Sequence, residues 1–189
     1  MTTLLCACDA SRKWTEDVQL QDGRIVSIQR TSTASRFGEI GQKTGATKYW
    51  SIKLDGRTPL FWEGDIPPVI FAIDTEHAYV VTQIHLTWRD CGKYGYPDPP
   101  FVYFRSRQSS AKWERISSDE LPNDLRVNLL QGIWTDSDAT AKKVFHVHDR
   151  LKIDFYSPLV KSGFDKSKPY AETKGCGEVK SHDQATTSK

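Results

Sequence analysis

The sequence predicts an all-β protein, an antiparallel β-sandwich or open barrel with at most one or two short helices. Apolar residues recur with a period of two along most of the chain, which is typical of strands with one buried face. Turns that contain Gly or Pro separate roughly eight to ten such segments, a spacing that favours a sandwich or barrel. Hairpin-like turns join neighbouring segments, and no crossover helices of a doubly wound fold are evident.

The first predicted hairpin surrounds Gly23. A three-residue turn at 21–23 pairs Val18 with Val26 and puts the apolar residues Val18, Leu20, Val26 and Ile28 on one face. A two-residue turn would divide these four residues between two faces. We therefore predict the three-residue turn, with Gly23 in the left-handed conformation that such a bulged turn needs.

Alternation also predicts the strands that follow. Trp50, Ile52 and Leu54 share one face of a strand, and a return strand follows the turn at 55–59. Three further segments are predicted as strands, at 69–73, 79–88 and 101–105, and the last pairs in a hairpin with residues 112–116. We expect a buried face that contains Trp50, Ile52, Val80, Ile84, Leu86, Val147 and Ile153.

Composition indicates one folded domain without a nucleic-acid surface. The chain has six Trp, seven Tyr and eight Phe, enough for a substantial core, and its formal net charge is only +2. With no basic excess, nucleic-acid binding is not expected. We predict a lipobox-like or flexible N-terminus at 1–13, a single β domain at 14–158 and a polar flexible tail at 159–189.

The N-terminal segment contains a possible lipidation site. Leu5 and Ala7 precede Cys8 at the spacing of a bacterial lipobox, in which Cys8 is the lipid acceptor, although Cys6 departs from the pattern. A basic and apolar export segment does not precede it, so we expect the translation start to lie upstream of Met1. The alternative is a cytosolic N-terminus with two chance cysteines.

Cys91 and Cys176 lie in turn-like contexts, and neither belongs to a CxxC pair that would indicate zinc. In an oxidising compartment they could form a disulfide that pins the tail to the body. Two free thiols in loops are the alternative.

The loop at 89–100 is the candidate binding segment. Its prolines limit backbone freedom, and Tyr94, Tyr96, Asp98 and Phe101 could form an aromatic and polar surface for a saccharide or a protein of the cell envelope. The alternative is a covering loop whose rings bury against Trp88 and Phe101.

His146 and His148 offer a different function. Two His separated by one residue share a face of a strand and could bind one metal ion, which would suit a metal-dependent hydrolase. Apolar residues hold the odd positions there, so the two His are predicted on the solvated face beside Arg150 and Lys152. We therefore expect no metal, no other cofactor and no catalytic residues.

The chain resembles small uncharacterised lipoproteins of Gram-negative bacteria. The matching parts are residues 5–8, the hairpin at 14–24 and several segments between 99 and 130, together about half of the chain. The resemblance implies a location in the cell envelope, periplasmic or at the outer membrane, and implies no chemistry. If the translation start is at Met1, a cytoplasmic location is expected. We thus expect an envelope protein with a non-enzymatic binding or structural role, attached to membrane only through a lipid on Cys8.

Overall fold

A computed structural model describes residues 10–34, 47–56, 59–84, 88–110, 112–130, 144–146 and 176. The strands are β1 (Ala10–Gln19), β2 (Ile25–Ala34), β3 (Thr47–Leu54), β4 (Leu60–Gly64), β5 (Pro68–Ile73), β6 (His77–Gln83), β7 (Phe101–Arg107), β8 (Glu114–Ile116) and β9 (Val144–Phe145). A short helix, α1 (Trp88–Lys93), lies between β6 and β7, and a 3-10 helix covers Ser118–Glu120. The predicted all-β class is confirmed.

The described strands form two open sheets. One has the order β4-β3-β2-β1-β9 and the other the order β5-β6-β7-β8. Neither described sheet closes on itself, so of the two predicted architectures the sandwich is the one observed. Among the described strands every pairing is antiparallel except one: β9 runs parallel to β1, with Thr15 opposite Val144. The fully antiparallel arrangement predicted is wrong at this edge.

The main core lies between the two sheets. Val18 and Ile28 from the five-stranded sheet belong to the same buried cluster as Phe71 and Val80 from the four-stranded sheet. Trp50, Ile52, Val80 and Ile84 are buried as predicted. The predicted core residues Leu86, Val147 and Ile153 lie outside the described residues.

The first hairpin has the predicted register. Val18 pairs with Val26, and the backbone N–H of Leu20 donates to the carbonyl of Arg24. Gly23 has φ +85°, in the left-handed region that favours glycine. Val18, Leu20 and Ile28 are buried, whereas Ile25, on the other face, is exposed.

The four-stranded sheet is covered on both faces, which alternation did not predict for β5. All six residues of β5 are buried. Phe71 faces the core between the sheets, whereas Val69 and Ile70 pack in a second cluster with Leu121 and Leu125. The short continuous apolar run at 69–73 is itself typical of a strand buried on both faces.

Asn128 closes the free edge of β5. Its Oδ1 accepts from the N–H of Phe71 at 2.9 Å, and its Nδ2 donates to the carbonyl of Phe71 at 2.7 Å. The same Nδ2 also donates to the carbonyl of Gln19 in β1, at 3.0 Å. One buried amide therefore satisfies both backbone groups of Phe71, as a neighbouring strand would, and links the two sheets.

A buried ion pair holds the segment that ends at Leu130 against the five-stranded sheet. Glu16 and Arg30 are each 1% exposed at the side chain and lie 2.9 Å apart. Glu16 Oε1 accepts from the N–H of Leu130, and Arg30 Nη1 donates to the carbonyl of Leu130. The guanidinium also lies over the rings of Trp14 and Trp50.

Three element boundaries differ from the prediction. β1 begins at Ala10, so residues 10–13 belong to the sheet and not to a flexible N-terminus. β6 ends at Gln83, and Trp88 begins a helix instead of ending a strand. Asp90 in the first turn and Lys93 in the last turn complement the helix dipole, which favours helix here. No helix in the described parts of the chain is long and apolar enough to cross a membrane.

Candidate functional site

The binding loop predicted at 89–100 begins with α1, and a glycine ends that helix. The N–H of Tyr96 donates to the carbonyl of Cys91, and the N–H of Gly95 donates to the carbonyl of Gly92. These two bonds form a Schellman motif, with Gly95 at φ +77° in the left-handed position that the motif requires. The helix end is therefore well defined and sets the direction in which residues 97–100 leave.

A disulfide attaches α1 to the C-terminal part of the chain. Cys91 and Cys176 are bonded, with their Cα atoms 5.5 Å apart, and both are fully buried. They form a small apolar cluster with Ile66, Ile84 and Val102. Cys176 falls in the segment expected to be a flexible tail, and at this one residue the tail is held against the body.

Tyr94 ties the loop to Asp65. The Tyr94 hydroxyl and the Lys93 ammonium both donate to the carboxylate of Asp65. Burial favours the neutral form of Asp65, but the bonds from Lys93 and Tyr94 outweigh it and lower the pKa of that carboxyl. Burial and the bond to Asp65 raise the pKa of the Tyr94 hydroxyl well above its usual value. Tyr94 is thus a neutral donor at physiological pH.

Tyr94 and Tyr96 support the loop and do not form the exposed platform that was one prediction. Both are half-buried and pack against the cluster around the disulfide. The Tyr96 side chain also lies close to Gly92: a Cβ atom added to this glycine would be 3.4 Å from the Tyr96 hydroxyl. The two rings therefore cover part of the protein, as in the covering alternative. The surface that they cover is the cluster around the disulfide.

A pocket of about 220 Å³ lies between the end of this loop and the β7–β8 hairpin. Residues 97–99 line one side, Phe101 and Tyr103 of β7 line another, and residues 115–118 line the third. We call this site the loop pocket. Of the four residues predicted for binding, Asp98 and Phe101 line it, whereas Tyr94 and Tyr96 do not.

Arg115 lines the loop pocket, and its pairing with Phe104 places its side chain on the face of the hairpin away from Tyr103. Its Nη2 donates to the carbonyl of Tyr94 at 2.9 Å, and its Cζ lies 5.9 Å from the centre of the Tyr94 ring. Within the described parts of the chain, Arg115 forms no salt bridge with an acidic side chain. Tyr94 therefore orients a guanidinium whose charge is not neutralised by a described neighbour.

Tyr103 also lines the loop pocket, but its hydroxyl is buried in the protein. The residue is 7% exposed, and its hydroxyl has no hydrogen-bond partner among the described residues. Burial raises the pKa of Tyr103 to about 12, so the hydroxyl keeps its proton at physiological pH. A buried polar group without a partner costs free energy, and such groups are uncommon in folded proteins.

The sequence prediction missed Arg115 and Tyr103, although the hairpin contained the signal for one of them. Tyr103 pairs with Ile116, which places residues 115–118 beside the start of β7, where the loop ends. The predicted hairpin between 101–105 and 112–116 implies the same proximity, so Arg115 could have been found from it. The missing partner of the Tyr103 hydroxyl depends on tertiary packing and has no sequence signal.

His146 lies on the solvated face as predicted, with its side chain 53% exposed. Its Nδ1 is 2.7 Å from a carboxylate oxygen of Asp17. His148 and the proposed lipidation site, Cys8, lie outside the described residues. Among the residues that the structure describes, no group of three His, Cys, Asp or Glu side chains could hold a metal ion.

Comparison of the chain with protein-family models, with curated proteins and with solved structures found no match.

Proposed function

We propose that this chain is a non-enzymatic protein of the cell envelope that binds a saccharide in the loop pocket. The observation that carries the proposal is the pocket itself, which joins apolar walls to charged and hydroxyl groups. Two bonds hold the adjoining loop in place: the disulfide between Cys91 and Cys176, and the hydrogen bond from Tyr94 to Asp65. A site that is ordered before the ligand arrives loses less conformational entropy on binding.

Saccharide chemistry fits the groups that line the loop pocket. A sugar ring has apolar C–H faces that can pack on the prolines at 97 and 99, and hydroxyls that need both donors and acceptors. Asp98 supplies acceptors, whereas Arg115 and Ser118 supply donors. Asp98 and Arg115 are exposed, so a ligand can reach both without displacing a buried contact.

The size of the loop pocket favours a single sugar residue. Its volume of about 220 Å³ is below the ~300–1,000 Å³ that is usual for drug-sized ligands. We therefore expect the pocket to hold one residue of a longer glycan, with the rest of the glycan outside. An envelope protein that inserts one side chain into the same pocket is the alternative ligand.

Two features support the envelope location. Disulfides persist in oxidising compartments such as the bacterial periplasm, and Cys91 is bonded to Cys176. Leu5 and Ala7 precede Cys8 at lipobox spacing, which supports lipidation of Cys8.

The binding role is tested with a glycan array followed by calorimetric titration of the glycans retained. We expect at least one glycan to bind, and Asp98→Asn to weaken that binding by about tenfold because a carboxylate accepts stronger hydrogen bonds than an amide. Asp124→Asn is the matched control, since Asp124 is exposed and does not line the pocket. Retention of no glycan, or equal effects of the two variants, would contradict the proposal.

The location is tested with a product translated from an upstream start. We expect this product to incorporate labelled palmitate and to fractionate with membranes, and Cys8→Ser to abolish both properties. More than one acyl chain is needed for stable anchoring, as in bacterial lipoproteins. A soluble, unlabelled product would contradict lipidation at Cys8.

The alternative function, a metal-dependent hydrolase that uses His146 and His148, has its own test. The contact between His146 and Asp17 is the observation that favours this alternative, because a metal-binding His commonly donates its other ring N–H to a carboxylate. Elemental analysis of purified protein would favour this alternative if it found stoichiometric metal that is lost in His146→Ala.

A further inference from the structure

The five-stranded sheet turns one face away from the core, and we call this surface the outer face. Within the described parts of the chain, every exposed large apolar side chain lies on it, namely Ile25, Tyr49, Phe61 and Val144. Each of these residues is followed in its strand by a residue that packs into the core between the sheets. Exposed apolar side chains that gather on one face of a protein mark an interaction surface.

Two opposite charges lie at the ends of one row of side chains across the outer face. The row runs from Lys13 in β1 through Thr31 and Ser51 to Glu63 in β4. Lys13 and Glu63 are both exposed, and neither forms a salt bridge in the described parts of the chain. Three strand spacings, about 14 Å, separate the two backbones. The two charges therefore do not neutralise each other within one chain.

This row is complementary to the same row in a second copy of the chain. A two-fold axis parallel to the strands, between β2 and β3, lays two outer faces together and exchanges β1 with β4 and β2 with β3. Lys13 then faces Glu63 of the second copy, and Glu63 faces Lys13 of the second copy. One charged row thus supplies two ion pairs between the copies.

The two neighbouring rows fit the same axis, because each sets a large side chain against a small one. Tyr49 pairs with Thr33, so the axis places its ring over Thr33 of the second copy. Phe61 lies in one row with Thr15, and its ring faces Thr15 of the second copy. Packed sheets lie about 10 Å apart, a gap that a ring opposite a short side chain fills.

We propose that this chain forms a symmetric dimer through the outer face, in which Lys13 of each copy pairs with Glu63 of the other. Strands β1 to β4 offer a face of roughly 15 Å by 25 Å, which is small beside the ~800 Å² that each partner buries in a standard interface. We therefore expect a weak dimer, with a micromolar dissociation constant. The loop pocket lies at the β7–β8 hairpin of the other sheet, so the dimer leaves both pockets open. The dimer does not depend on what the loop pocket binds.

Sedimentation equilibrium of the full 189-residue chain tests the dimer. Every sample carries Cys6→Ser and Cys8→Ser, so that no disulfide between these cysteines links two copies. We expect Lys13→Glu and Glu63→Lys each to weaken dimerisation by at least about tenfold, because each change brings like charges together at two places in the interface. The variant with both changes restores opposite charges and should recover most of the original affinity.

Two matched variants control for the change of net charge. Lys112→Glu and Asp124→Lys alter exposed residues that lie away from the outer face, and neither should change the dissociation constant. Recovery of the dimer in the variant with both changes also shows that the single variants are folded, since that variant uses the same face.

Three results would overturn the proposed dimer. One is a chain that stays monomeric at concentrations up to about 1 mM, where a micromolar dimer is nearly complete. Another is a dimer that both single changes leave as strong as before, because its contact then lies elsewhere. The third is a variant with both changes that dimerises no better than either single variant, because the two charges then do not meet across the interface.

Discussion

At the scale of single residues, the Tyr103 hydroxyl is buried without a hydrogen-bond partner among the described residues. An unpaired buried polar group costs roughly 1–3 kcal/mol, so Tyr103→Phe should raise the free energy of unfolding by about 1 kcal/mol. Tyr79→Phe is the matched control, because the Tyr79 hydroxyl donates to Asp74 at 2.8 Å and its loss should destabilise the protein. Urea unfolding measures both, and a destabilised Tyr103→Phe would show that the hydroxyl has a partner.

Asp65 makes the stability of the loop dependent on pH. Because its pKa is lowered in the folded state, its contribution to stability is present above the unfolded pKa, near the ordinary aspartate value of 3.8. That contribution is lost as the pH falls from there through the folded pKa. We expect Asp65→Asn to be less stable than wild type near pH 7, and this difference to shrink as the pH falls below about 3.8. A difference that persists at acid pH would contradict this assignment, and urea unfolding at each pH decides it.

At the scale of elements, the buried pair of Glu16 in β1 and Arg30 in β2 joins two strands and the backbone of Leu130. Removal of one member leaves a buried charge without compensation, so Glu16→Gln and Arg30→Met should each cost about 3–5 kcal/mol. The double variant should cost clearly less than the sum, because neither uncompensated charge remains. Additive losses in a double-mutant cycle would show that the two residues act separately.

The elements also show what could be predicted from sequence. The hairpin around Gly23 was predicted to the residue because one face is buried, so only one register keeps Val18 and Ile28 together. The parallel pairing of β9 could not be predicted, because its partner β1 is distant in sequence and alternation carries no direction. α1 was missed because a six-residue helix is too short to show a helical period.

The candidate site was only half predicted for the same reason. Asp98 and Phe101 are adjacent in sequence to the prolines that mark the loop, so local composition was enough to select them. Arg115 is brought to the pocket by the pairing of β7 with β8, and Tyr94 and Tyr96 turn inward because of the Schellman motif at Gly95. These placements depend on contacts that periodicity does not report.

At the scale of the whole molecule, the disulfide between Cys91 and Cys176 spans 85 residues and connects the loop pocket's supporting helix to the C-terminal part of the chain. Closing a loop of this length in the unfolded chain should stabilise the protein by about 2–4 kcal/mol. Each of the variants Cys91→Ala and Cys176→Ala, and the double variant, should therefore lose a similar amount of stability, because each change removes the same bond. Each should also weaken binding in the loop pocket, since α1 sets the position of residues 97–99.

Urea unfolding with and without reductant measures the loss of stability, and wild-type protein in reductant should approach the stability of the variants. Additive losses from the two single variants, or no effect of reductant on unfolding, would show that the two cysteines act as separate buried thiols.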